Sequence, residues 1–100
     1  MVKNQKYPPA KVIAIDVDGT LMVRGEINAP LCGWIKEKKR KGFHVILWSA
    51  RGMRHAQGVA RKAGMDEVFD TIIGKPGYIV DDQGWGWVKF TRVLRNWRDW

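Results

Sequence analysis

The sequence predicts an α/β domain with a small, reduced parallel sheet flanked by helices, and three observations lead there. Apolar runs suited to buried strands, at residues 11–17, 43–48 and 78–80, alternate with stretches of helical periodicity. The three runs close on Asp16, Ser49 and Asp81, polar side chains at the strand ends where parallel sheets bind ligands. A chain of 100 residues has room for one core, so residues 1–100 are read as a single domain.

Residues 1–10 are polar, carry lysines and end at Pro8 and Pro9, which reads as a flexible lead-in without the apolar segment of a secretory signal. Residues 11–17 read as a fully buried strand, with a turn at Gly19. Residues 21–27, with Arg24 and Gly25 in the middle, suit a short hairpin flap. Asn28 then offers a helix N-cap with Pro30 in the first turn, and the helix should reach about Lys41 before Gly42 stops it. Leu31, Trp34 and Ile35 share its apolar face, and the basic cluster from Lys36 to Lys41 reads as a solvated helix end that suits the dipole. A second strand at 43–48 leads through Ser49, Ala50, Arg51 and Gly52 into a second helix over about 53–63. Met53, Ala56, Val59, Ala60 and Ala63 form its buried stripe. Residues 68–73 read as an irregular or edge element before Gly74, Lys75, Pro76 and Gly77, and 78–80 as the third strand. In 85–100, Trp87, Phe90, Leu94 and Trp97 recur at helical spacing, with Lys89, Arg92, Arg95 and Arg98 mainly elsewhere. The segment reads as an aromatic, basic helix closing one face of the sheet, or as a surface for stacking single-stranded bases.

Composition narrows the class. An apolar content of 45% excludes a disordered chain, and no apolar stretch approaches the roughly 20 residues that cross a bilayer. The single cysteine, Cys32, permits no internal disulfide, which with the leader reading points to the cytoplasm. Eighteen Lys and Arg against ten Asp and Glu give a net charge of +8, a field that attracts nucleic acid and phosphorylated substrates.

The strongest chemical signal is Asp16-Val17-Asp18-Gly19-Thr20-Leu21 at the end of an apolar run. Two carboxylates delivered by a buried strand repel one another, so a cation, most simply a hard metal ion, belongs beside them. With Ser49 after the second run, Lys75, and Asp81-Asp82 after the third, these residues resemble the motif set of the haloacid dehalogenase superfamily over roughly 12–82.

That resemblance implies a Rossmann-like core and a phosphohydrolase that transfers the phosphoryl group through an aspartyl-phosphate. Asp16 would be the nucleophile and Asp18 the proton donor and acceptor; Ser49 would bond a phosphoryl oxygen, aided by backbone N–H groups such as that of Val17; Lys75 would neutralise charge. Thr20, Ser49 and Arg51, with Arg54 close by, would bind substrate. Mg2+ would be held by Asp16, Asp18 and one or both of Asp81 and Asp82. Lys75 raises a geometric difficulty, because if 76–81 run extended it starts roughly 20 Å from Asp81 at about 3.3 Å per residue. Either the chain folds back there, or Lys89 or Arg51 takes its place.

Many relatives carry a cap domain; here 21–49 holds only a flap and one helix, and 49–75 only another helix. An open site favours a bulky substrate such as a phosphorylated polynucleotide or other macromolecule, unless a second copy of the chain covers it. The alternative is a non-catalytic module on the same fold that binds nucleic acid or protein through the tryptophan-rich end.

Overall fold

The computed structural model describes residues 8–100; of the lead-in expected over 1–10, residues 1–7 lie outside the described residues. The chain divides into two compact units, Lys11–Pro76 and one containing Gly77–Trp100. The first unit holds a three-stranded parallel sheet in the order β1-β4-β5, with β1 at Val12–Asp16, β4 at His44–Ser49 and β5 at Thr71–Gly74. A two-stranded antiparallel hairpin, β2 (Met22–Val23) and β3 (Glu26–Ile27), and helix α1 (Ala29–Arg40) separate β1 from β4. Helix α2 (Met53–Lys62) alone separates β4 from β5. No cap domain is inserted in either interval. No helix among the described residues is long and apolar enough to cross a membrane.

Both crossovers step the same way along the sheet, so right-handed connections place α1 and α2 on one face. The register pairs Ile13 with Val45 and Ile15 with Leu47 on that face. Ile15, Val45 and Leu47 are buried there against Leu31, Ile35, Ala56, Val59 and Ala60, whereas Val12 and Ala14 on the other face are exposed. The fully buried strand expected at 11–17 is therefore an edge strand with one buried face. Its apolar run is continuous, but only alternate side chains meet the core.

Local signals account for much of the rest. The hairpin turns on Arg24 and Gly25, both at positive φ (53° and 78°), as a two-residue type I′ turn requires. Asn28 caps α1: its side-chain oxygen accepts from Leu31 N at 3.3 Å, while its side-chain amide donates to Thr20 O at 3.1 Å. In α1, Cys32 and Lys38 join Leu31 and Ile35 among the buried residues, so the basic helix end is not wholly solvated. The Lys38 ammonium lies 5.3 Å from the Trp34 ring, which gives its apolar stem a surface to cover. Burial pushes the Cys32 thiol up, away from a reactive thiolate. Met53, expected in the α2 stripe, is exposed in the first helical turn, and Met65 beyond the helix is buried instead.

Two expectations are corrected. The third strand is Thr71–Gly74, paired in parallel with β4 through Ile46–Thr71 to Ser49–Gly74. Residues 78–80 form no strand; Tyr78 and Val80 are 97% and 105% exposed. The β-branched residues Thr71, Ile72 and Ile73 find a ladder on β4, and a strand there leaves 78–80 as chain that follows it. Residues 85–100 are not one helix but 3-10 turns at Gly84–Phe90 and Trp97–Asp99, with extended backbone at Thr91. Glycines at 84 and 86 and β-branched residues at 88, 91 and 93 weaken an α-helix here. The aromatic spacing also fits the tighter turn, since Trp87 and Phe90, like Leu94 and Trp97, are three apart and all four are half-buried.

Candidate active site

The site begins where β1 stops. After Asp16 the chain closes a compact loop by backbone bonds from Leu21 N to Asp16 O (3.2 Å), Met22 N to Val17 O (3.0 Å) and Gly19 N to Met22 O (2.8 Å). Gly19 sits at φ 84°, a conformation a side chain would strain, and this lets the chain turn directly after Asp18. Buried Val17 pins the loop to the core while Asp16 and Asp18 stay accessible.

The two carboxylates have separate partners. Lys75 Nζ lies 3.0 Å from Asp16 Oδ1, and Thr20 Oγ1 is 3.5 Å from Asp16 Oδ2, at the limit for donation. Asp18 instead faces α2 and the loop before it. His55 Nε2 lies 3.2 Å from both Asp18 oxygens, and Arg51 Nη1 lies 3.4 Å from Oδ1. Like-charge repulsion between the two acids is thus relieved by cationic or donor groups from three places in the sequence.

Lys75 reaches Asp16 because the third strand is 71–74. Gly74 ends β5 opposite Ser49, and Lys75 N donates to Ser49 O at 2.9 Å, so Lys75 leaves at the carboxyl edge of the sheet. Two strand spacings, roughly 10 Å, separate β5 from β1, a gap that a lysine arm and an aspartate can close together. Lys75 thus meets Asp16 directly, without Arg51 standing in beside that carboxylate. Arg51, expected to bind substrate, is paired with Asp18.

Ser49 ends β4 and is buried. Its Oγ accepts from Arg51 N at 3.0 Å and its carbonyl from Gly52 N at 3.0 Å, which shapes the turn into α2. Accepting uses an oxygen lone pair and leaves the hydroxyl hydrogen as a donor. Arg54 is exposed on α2. Asp81 and Asp82 belong to the second unit. There Gln83 N donates to Asp81 Oδ1 at 2.8 Å and Gln83 Nε2 to Asp82 Oδ2 at 3.2 Å, within an exposed turn.

As donors, Asp16, Asp18 and nearby carbonyls supply only oxygen, the chemistry a hard divalent cation takes. Among the described residues, however, no three His, Cys, Asp or Glu side chains are grouped to hold a metal. His55 is the functional candidate that sequence reasoning missed. Its signal was present: a histidine in the first turn of the helix that follows the motif serine, at the sheet end where ligands bind.

A family model described as haloacid dehalogenase-like hydrolase matches residues 13–95. No curated protein and no solved structure matches the chain. Hydrolases of this family generally use Mg2+. With the match running from β1 into the second unit, and a parallel sheet that delivers Asp16, Ser49 and Lys75 to one edge, the chain belongs to the haloacid dehalogenase-like hydrolases and has their Rossmann-like core.

Proposed function

We propose that this chain is a magnesium-dependent phosphomonoesterase that works through an aspartyl-phosphate. The observation that carries the reading is the Asp16–Lys75 pair at 3.0 Å with Asp18 held separately beside it. A carboxylate with a lysine beside it can take up an anionic phosphoryl group without uncompensated charge build-up. Asp16 attacks phosphorus, the bond from phosphorus to the ester oxygen breaks, and that oxygen takes a proton from the Asp18 carboxyl. Asp18 then takes a proton from water as the water oxygen attacks the aspartyl-phosphate, releasing inorganic phosphate and restoring Asp16. Ser49 donates its hydroxyl to a phosphoryl oxygen, and Thr20 and Arg51 line the approach.

Magnesium would be held by the Asp16 carboxylate and the Asp18 carbonyl, and when bound would supply charge neutralisation at the phosphoryl oxygens. With no cap inserted, the site is open to a phosphorylated polynucleotide or other macromolecule, and the +8 charge favours such a polyanion. A second copy of the chain covering the site belongs to the same proposal, as does a cytoplasmic location, which the single cysteine supports.

Release of phosphate from 4-nitrophenyl phosphate in the presence of Mg2+ tests the reading. Chelation and Asp16→Asn should each abolish release; an Asp16→Asn protein with full activity would sink the nucleophile assignment. A second reading, a non-catalytic nucleic-acid- or protein-binding module, draws on exposed Trp85 and Trp100 and on Arg98 stacked 4.6 Å from the Trp97 ring. Salt-sensitive binding to single-stranded DNA with no phosphate release at any substrate would favour it.

A further inference from the structure

We propose that His55 is a positioning residue for Asp18, fixing the carboxyl group that exchanges protons with the leaving oxygen; this rests on the phosphohydrolase reading above. His55 is the third residue of α2, and its Nε2 lies 3.2 Å from both Asp18 oxygens. With the proton on Nε2, the ring donates between the two oxygens and sets the plane of the carboxyl group as well as its distance.

Arg51 touches the same carboxylate, but differently. Its side chain is 67% exposed, reaches one oxygen only, and does so at 3.4 Å from a loop. The His55 side chain is 22% exposed, stands on a helix and engages both oxygens. A short, two-torsion ring on a rigid element loses little freedom in holding its partner, whereas a solvated arginine loses much of its own. Asp18 itself is 46% exposed, so water would solvate it without help; a fixed donor adds orientation rather than mere solvation.

The arrangement separates the two acids by function. Asp16 is tied across the sheet to Lys75, and Asp18 is turned toward α2 by His55. A carboxyl that must face an ester oxygen and later a water molecule gains from being held in one orientation, and loss of that orientation is felt most where protonation of the leaving group limits the rate.

The test compares wild type, His55→Ala and His55→Gln on an alkyl phosphate, whose leaving group needs a proton, and on 4-nitrophenyl phosphate, whose leaving group scarcely does. His55→Ala should lower kcat about tenfold on the alkyl phosphate and about twofold on the aryl phosphate, with KM within about twofold on both. His55→Gln places an amide N–H within reach of the same carboxylate and should recover most of the alkyl phosphate loss. Equal losses on the two substrates, no loss, or a glutamine variant as poor as alanine would overturn the assignment. Should His55→Ala fail to fold, His55→Asn, an amide one methylene too short, replaces it in the comparison. Wild-type activity that Asp16→Asn removes secures the underlying reading separately; a wild type inactive on every phosphate ester overturns both together.

Discussion

The two ends of the sheet use ionic groups in opposite ways. At the amino ends of the strands, Asp70 Oδ1 meets Lys39 at 2.7 Å while Oδ2 accepts from Val45 N at 2.8 Å. Lys11 donates to Lys41 O at 2.9 Å, and His44 Nε2 lies 3.0 Å from Thr71 Oγ1. These contacts join α1, β4 and the leads into β1 and β5, and two of the four end on backbone atoms. At the carboxyl ends, Asp16, Asp18, Arg51, His55 and Lys75 close on one another's side chains. A polar group that completes a backbone hydrogen bond serves the fold, because removing it leaves a donor or acceptor unpaired. Groups that only balance each other, part-exposed at strand ends, are the ones the proposed chemistry would draw on.

Substitutions at each end can break this contrast. The largest effect is expected from Asp16→Asn, which should cost about 10^3-fold or more in kcat while unfolding temperature changes little, because the Lys75 pair it weakens is part-exposed. Lys75→Ala should cost about 10^2-fold in kcat/KM, since among the described residues no other side chain is found on Asp16 Oδ1; a loss below about threefold would show that the pair is incidental. At the other end the pattern inverts. Asp70→Asn should leave kcat/KM unchanged and reduce stability by about 1 kcal/mol in urea unfolding, because the exposed Lys39 pair is weakened while the amide oxygen still serves Val45 N.

Acid sharpens the comparison further. The hydrogen bond from Lys39, then that from Val45 N, holds the Asp70 carboxyl below its usual range. A carboxyl lowered in the folded state contributes stability that is fully present above its unfolded value, about 4, and is lost as pH falls through the lower folded value. Unfolding titrations from pH 6 to pH 2 should therefore fall less steeply for Asp70→Asn than for wild type. Parallel curves would deny Asp70 that role. A further small effect concerns the start of α1: Asn28→Ala removes the α1 cap and the bond to Thr20 O and should cost about 1 kcal/mol, with a modest rise in KM if the Asp16 loop loosens.

Several features were legible because their causes are local. The type I′ hairpin follows from Arg24-Gly25, the start of α1 from Asn28 and Pro30, and the two-carboxylate loop from Asp16, Asp18 and Gly19. The misplaced third strand has the opposite origin. Residues 71–74 and 78–80 are both short apolar runs, and nothing within either says which one β4 will pair with. The continuous C-terminal helix failed similarly, since aromatic spacing of three to four residues fits an α-helix and separate 3-10 turns alike.

The sequence by itself determined which side chains were available for the proposed phosphoryl chemistry and which turns would present them, because turn and cap preferences act over a few bonds. Only the tertiary structure decided that β1 is an edge strand, that Lys75 arrives beside Asp16, and that His55 faces Asp18. Each depends on strand order and helix placement, where residues up to 59 positions apart (Asp16 and Lys75) meet through cooperative packing of the whole unit rather than through any local preference.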